Sequence, residues 1–375
     1  MKKILIATTA LTLSAGFAAA EVKFSGNARF GIQYLENRDK ETVTNGVRPD
    51  LAANAQKNGR SNTWLEKRLR INVDASTTTD AGVTLGGRLR LSSEETGNYN
   101  TGAPAWSGAD AGRVSGARLY AQYEGFTVAV GNINGAIDDI QNLYDYSIGM
   151  TGLDYGYMIG GNGNGWDAFS SGGQTIDGIE VIYKTGPFRA MVSYTGEKFS
   201  GLTASAGTGA APFANRTTTA ASFAYTYENF VFVLAGQEAK HQKFWGGDDN
   251  FVFASVEGKF DNYGAMLTYG QTTARNVVLT SLQNDALTAA AQTGAVNYDQ
   301  KRFGEKYDFV SIAGKATFGA TEVRAYVADL DMPKSKTGYG LGAQYDLGGG
   351  AVLVGGVTRS TDDRTRADFG VSFRF

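Results

Sequence analysis

Apolar and polar residues alternate with a period of two along most of the chain. Val22, Phe24, Gly26, Ala28, Phe30, Ile32 and Tyr34 fall on one face of a first run, with Lys23, Ser25, Asn27, Arg29 and Gln33 on the other. Leu65, Leu69, Ile71 and Val73 then stand against Glu66, Arg68, Arg70, Asn72 and Asp74. After a turn ending at Gly82, Val83, Leu85, Leu89 and Leu91 oppose Thr84, Arg88, Arg90 and Ser92. A fourth run, over 113–124, sets Ala117, Leu119, Ala121 and Tyr123 against Arg118, Tyr120, Gln122 and Glu124. Such alternation predicts β-strands with one apolar and one wet face.

The connections alternate between short and long. Glu124-Gly125, Gly186-Pro187, Glu228-Asn229, Asp261-Asn262, Gly319-Ala320 and Gly348–Gly350 read as tight turns. Between them lie polar stretches at 36–60, 92–112, 131–177, 195–216, 237–249 and 273–306, with shorter ones at 330–336 and 359–365. These connections bound sixteen apolar runs, one of them ending near residue 236. A soluble sandwich also alternates, but here the second face carries repeated Arg, Lys, Glu and Asp, and every long connection falls at one end. The chain closes on Ala367, Phe369, Val371, Phe373 and Phe375, an apolar alternation ending in an aromatic. A membrane admits sheets only when they are closed, and sixteen strands enclose a water-filled lumen. The expectation is an all-β, 16-stranded antiparallel transmembrane barrel.

Composition narrows the chemistry. The 375 residues include 50 glycines, 5 prolines, no cysteine and one histidine, His241. Disulfides, cysteine-zinc sites and any centre needing two imidazoles are excluded. A serine-histidine hydrolase would need its histidine on a strand, and His241, beside Phe244-Trp245, is expected in a loop, so no enzyme is expected. A net charge of −2 provides no basic footprint for nucleic acid. Lys2-Lys3, the apolar run Ile4–Leu13 and Ala18-Ala19-Ala20 read as an export signal peptide over 1–20. Its removal takes two lysines and changes the charge from −2 to −4, leaving 21–375 as a single domain.

Three stretches carry a family resemblance. They are Glu21-Val22-Lys23-Phe24-Ser25-Gly26-Asn27-Ala28-Arg29-Phe30-Gly31, then Gly131-Asn132-Ile133-Asn134-Gly135-Ala136-Ile137-Asp138-Asp139, and the terminal Phe375. The chain resembles the general porins of Gram-negative outer membranes, in the Rhodobacter-type branch of the alpha-proteobacteria. The resemblance implies a homotrimer set among outer-membrane lipid and lipopolysaccharide, with the third long loop, 131–177, folded into the barrel. It implies that the barrel-assembly machinery reads Phe375 as an assembly signal. The implied function is a general diffusion channel for ions and small hydrophilic solutes. The alternative is a substrate-selective channel, which needs a continuous aromatic track; the inward faces offer only Tyr120 and Tyr326.

Charge is distributed in keeping with an infolded loop. The stretch 131–177 holds six aspartates, among them Asp138, Asp139, Asp145 and Asp154, and no Lys or Arg. By parity, Arg29, Arg68, Arg70, Arg88, Arg90 and Arg118 all point into the lumen. Like charges on neighbouring strands repel unless opposed, so the loop aspartates are expected to face this arginine wall as a constriction with weak ion preference. Asp138, Asp139 and Asp145 are also candidate calcium ligands; no other cofactor is expected. Gly160–Gly165 lacks the Lys-Ser/Thr of a phosphate cradle and reads as a loop.

Overall fold

The computed structural model describes residues 20–38, 61–94, 112–153, 169, 177–196, 216–241, 249–273, 306–331 and 335–375. The expected signal peptide up to residue 19, Asp154, Asp167, Gly160–Gly165 and Phe244-Trp245 lie outside the described residues.

Strands form where the alternation runs. They are β1 (Glu21–Leu35), β2 (Thr63–Thr78), β3 (Thr84–Glu94), β4 in two segments (Arg113–Val114 and Arg118–Tyr123), β5 (Phe126–Gly131), β6 (Gly178–Thr185), β7 (Phe188–Gly196) and β8 (Arg216–Tyr227). The second half holds β9 (Phe230–His241), β10 (Asp249–Phe260), β11 (Tyr263–Thr273), β12 (Lys306–Phe318), β13 (Thr321–Leu330), β14 (Gly338–Gly348), β15 (Ala351–Arg359) and β16 (Thr365–Arg374). Each strand is antiparallel to its neighbours in sequence. β1 also pairs β16, from Asn27 opposite Arg374 to Leu35 opposite Arg366, so the sixteen strands close without an edge. Closure leaves no backbone ladder unpaired against lipid. The last residue completes the seam: Gly26 N–H donates to Phe375 O at 2.7 Å and Phe375 N–H to Gly26 O at 3.1 Å.

Two strands differ from their sequence reading. β9 continues past residue 236 to His241, with Ala239 opposite Thr218 and His241 opposite Arg216. The alternation loses its apolar outer row at Glu238 and Lys240, but the ladder does not need one. The backbone of His241 is therefore in a strand and not in a loop, and the argument that set a hydrolase aside on that ground fails. β4 is not one period-two run. Between the pairs Arg88–Arg118 and Leu91–Val114, β3 spends two residues while β4 spends three, Ser115–Ala117. This is a β-bulge, locked by Ser115 N–H donating to Arg90 O at 2.8 Å and Arg90 N–H to Ser115 Oγ at 2.9 Å. It flips parity, so Val114 and Leu119 both face outward, 53% and 56% exposed, although five residues apart.

The outer face is a belt of exposed apolar side chains, Leu65, Leu234, Ile312, Leu341 and Phe369 among them. Aromatics cluster beside the tight turns: Phe126 on Tyr183 at 4.3 Å, Phe188 on Tyr225 at 4.6 Å and Phe230 on Phe260 at 5.7 Å between ring centroids. Such a girdle suits the membrane interface. The inner face is not uniformly wet. Met191, Val231, Val233, Phe253, Met266 and Phe309 point inward and are buried in one cluster with Ile137, Ile140, Leu143, Tyr146 and Ile148 of the third long connection. That connection is folded into the barrel.

Candidate pore constriction

The infolded segment starts where β5 ends. Gly131 has φ of 91°, a conformation that suits glycine, and Asn132 N–H donates to Ala117 O at 2.8 Å, beside the β4 bulge. From there a series of tight turns runs around the inner wall, fastened strand by strand. On β6, Glu180 is fully buried: its Oε2 accepts from Asn134 N at 3.0 Å and Gly135 N at 3.2 Å. On β7, Ser193 Oγ accepts from Ala136 N at 2.9 Å, and Arg189 donates to Asp139 O at 2.6 Å and to the Asp139 carboxylate. On β10, Ser255 Oγ meets Asn142 Oδ1 at 3.2 Å, Tyr146 OH donates to Glu257 Oε1 at 3.2 Å, and Lys259 Nζ reaches Asp145 Oδ2 at 3.1 Å. Burial, then the Glu257 carboxylate, raises the pKa of the Tyr146 phenol, keeping it a donor. On β13, Arg324 donates to Ser147 O at 3.0 Å. On β16, Asp368 accepts from Met150 N at 2.9 Å and Thr151 N at 2.7 Å.

Three alternate loop side chains drop into places that glycines keep open. A Cβ at Gly264 on β11 would lie 2.7 Å from Tyr146 OH. One at Gly342 on β14 or Gly356 on β15 would lie 3.0 or 2.5 Å from Ile148 Cγ2. One at Gly370 on β16 would lie 2.6 Å from Met150 Sδ. At Gly264 and Gly356 a larger residue would need the loop to move, whereas at Gly370 the β1 backbone, where Phe30 O would meet the Cβ, excludes one as well.

All six arginines of β1–β4 turn inward as parity requires, but strand carboxylates, not the loop, neutralise most of them. Arg29 pairs Glu66 at 2.6 Å, Arg70 pairs Glu94 at 2.9 Å, Arg88 pairs Asp74 at 2.6 Å and Arg118 pairs Glu180 at 2.5 Å. Arg68 donates to Asn27 Oδ1 at 3.1 Å. Arg90 donates to Asn72 Oδ1 at 2.9 Å and to Phe169 O at 3.3 Å, its guanidinium 4.6 Å above the Phe169 ring. The expected opposition of loop aspartates and arginine wall is thereby corrected for two residues. Asp139 is paired with Arg189 and Asp145 with Lys259, both on the wall behind the loop. Asp138 accepts from Tyr144 OH and lies within electrostatic reach of Arg90. Asp138, Asp139 and Asp145, the candidate calcium ligands, each meet a different partner: Tyr144, Arg189 and Lys259. Among the described residues no three metal-binding side chains converge.

Register explains what parity could not assign. Glu66, Asp74 and the arginines share one inward row, but the partner depends on which residues stand opposite or diagonal across the ladder. Arg88 faces Asp74 directly, whereas Arg29 faces Arg68 and takes Glu66 diagonally. Arg118 reaches Glu180 over Gly131, which stands opposite Arg118 on one side and Gly178 on the other. Glu180, Arg189, Glu257, Lys259, Arg324 and Asp368 were absent from the sequence-predicted site; inward parity was their only signal.

A family model described as Gram-negative porin matches residues 7–365. The porin of Fuscovulum blasticum is 29% identical over 360 residues, covering 95% of this chain and all of that protein. The porin of Rhodobacter capsulatus is 43% identical over 95 residues, 24% of this chain and 29% of that one. A solved mutant form of the Rh. blastica porin superposes with a TM-score of 0.66 at 25% identity, covering 95% of this chain and all of that one. A solved engineered protein studied for asymmetric conductivity superposes at 0.67 with 26% identity over the same shares. Closed sixteen-strand barrel, infolded loop and a match along nearly the whole length agree: the chain belongs to the Gram-negative porin family of outer-membrane β-barrel channels.

Proposed function

We propose that the lumen is a passive diffusion path for ions and small hydrophilic solutes, with weak charge preference and no catalysis. The observation that carries this reading is the course of the loop. Its described stretch 132–151 is fastened to inner-wall residues from β6 round to β16, facing the arginine-bearing strands β1–β4, where Phe169 meets Arg90. Solutes therefore cross between a largely paired charged wall, with Arg68 and Arg90 held by Asn27 and Asn72, and the exposed side of the loop, where Asp138 and Tyr144 lie. Arg29, Arg70, Arg88 and Arg118 are matched by wall carboxylates, so their field falls off within a short distance and discrimination between ions is small. The charge of −4 on residues 21–375 tilts the preference toward cations. In the proposed mature state residues 1–20 are removed, three copies associate, and Phe375, paired to Gly26 at the seam, serves as the assembly signal.

Reversal potential across a salt gradient in a planar bilayer tests the reading. The wild-type channel is expected to prefer cations weakly, and Asp138→Asn to shift the potential toward anions, more so at low salt. A strongly selective wild type, or an Asp138→Asn channel with an unchanged potential at low salt, refutes it.

A further inference from the structure

We propose that Asp368 is a positioning residue that sets the aperture of the pore by latching the far end of the loop to β16. This rests on the constriction reading and identifies what holds the constriction at its width. The segment 148–153 folds back on itself: Ile148 bridges Leu153, and Leu153 N–H donates to Ile148 O at 2.7 Å. Gly149 and Gly152, at φ of 74° and 76°, make its apex, which among the described loop residues on the β6–β16 wall is the part furthest from the root at Gly131. The root is held twice over, by covalent continuity with β5 and by Glu180. Among the described residues, the side-chain hydrogen bonds between the apex and the wall run through Asp368 alone.

The fit is specific to a carboxylate. Asp368 is 5% exposed, a costly place for a charge unless its oxygens are satisfied. Oδ1 accepts from Met150 N at 2.9 Å; Oδ2 accepts from Thr151 N and Thr151 Oγ1, each at 2.7 Å. Three donors from the apex thus converge on two acceptor atoms. A Cβ at Gly149 would run into the carboxylate, so sequence position 149 and Asp368 are mutually dependent. Asparagine has the same shape but must turn an NH₂ group toward a backbone N–H that cannot accept. Asp368→Asn therefore opens one side of the latch with almost no change of volume.

Single-channel recording in 1 M KCl with graded polyethylene glycols tests the latch. At that salt charges are screened beyond about 3 Å, so conductance and polymer exclusion report width rather than the lost charge. In Asp368→Asn the freed apex leaves the wall for the opening, so a lower conductance level is expected, occupied roughly tenfold or more often than in wild type, with only smaller polymers admitted. If conductance and polymer cut-off stay at wild-type values and only the low-salt reversal potential moves, Asp368 is a lumen charge and the latch is wrong. Tyr144→Ala, at a loop position 47% exposed, separates the two readings. If it raises conductance while Asp368→Asn leaves conductance unchanged, the latch fails and the constriction stands; if neither changes conductance, the constriction itself fails. Should Asp368→Asn not reach the membrane, Thr151→Val deletes one of the three bonds, and a wild-type dwell ratio in that variant overturns the proposal.

Discussion

The two sides of the lumen are built from the same alternating strands and end as opposites. On β1–β4 the inward row is arginine interleaved with Glu66, Asp74 and Glu94, and the charges satisfy one another across the ladder. From β7 round to β16 the inward row mixes apolar residues and glycines with small hydroxyl residues such as Ser193, Thr218, Thr268 and Ser311 and a few charges, and the loop lies against it. On the first wall the charges are largely matched by one another, and among the described loop residues only Phe169 meets it, at Arg90. On the second wall the cluster of Val, Phe and Met gains about 25 cal/mol for each Å² of apolar surface removed from water. The loop lies where burial favours it, and the pore is what remains on the other side. Loop placement is thus decided by the apolar wall, and the arginines shape a space they did not create.

The largest expected effect comes from the point where the two walls meet. Glu180 neutralises Arg118 and caps the loop root, and removing one partner of a buried pair typically costs about 3–5 kcal/mol. Glu180→Ala is expected to lower the temperature at which the folded barrel converts to the unfolded form on gels, well beyond the effect of Asp74→Ala on the open wall. Equal losses in the two would break the comparison.

Next comes overfilling the glycine-bearing wall. Gly356→Val places side-chain atoms where Ile148 sits, and overpacking costs about 1–3 kcal/mol. Ile148 is expected to leave the wall, lowering single-channel conductance and raising its noise; unchanged conductance would mean that the loop is not seated by that contact.

The smallest effect belongs to the self-paired wall. Arg88→Ala leaves Asp74 without its cation and should shift reversal potential toward cations, whereas Arg88→Ala with Asp74→Ala should return it close to wild type. A double variant that keeps the full cation shift of Arg88→Ala would show that Asp74 does not balance Arg88 in the lumen.

The candidate site was half legible in the sequence. The inward phase of Arg29, Arg68, Arg70, Arg88, Arg90 and Arg118 followed from period two, because successive side chains of a strand must take opposite faces. The partners did not follow. Asp139 and Asp145 are near the arginines in no sense that parity can express: they pair with Arg189 and Lys259 because the loop runs along β7 and β10. The β4 bulge was hidden too, since Ser115–Ala117 reads as an ordinary stretch of strand until the neighbouring register counts two residues against three.

The sequence by itself determined what is local and periodic: strands, their two faces, the alternation of tight turns with long connections, and therefore a closed sheet. Sheet closure needs no distant information once each run is apolar outward and every edge must be paired in lipid. Tertiary structure decided everything that requires knowing which residues stand across from each other. That includes the charge pairs of the arginine wall, the seats for Tyr146, Ile148 and Met150, and the bonds from Asp368 to residues 217 and 218 positions away. Those contacts depend on shear and on the path of one loop, neither of which leaves a period in the chain.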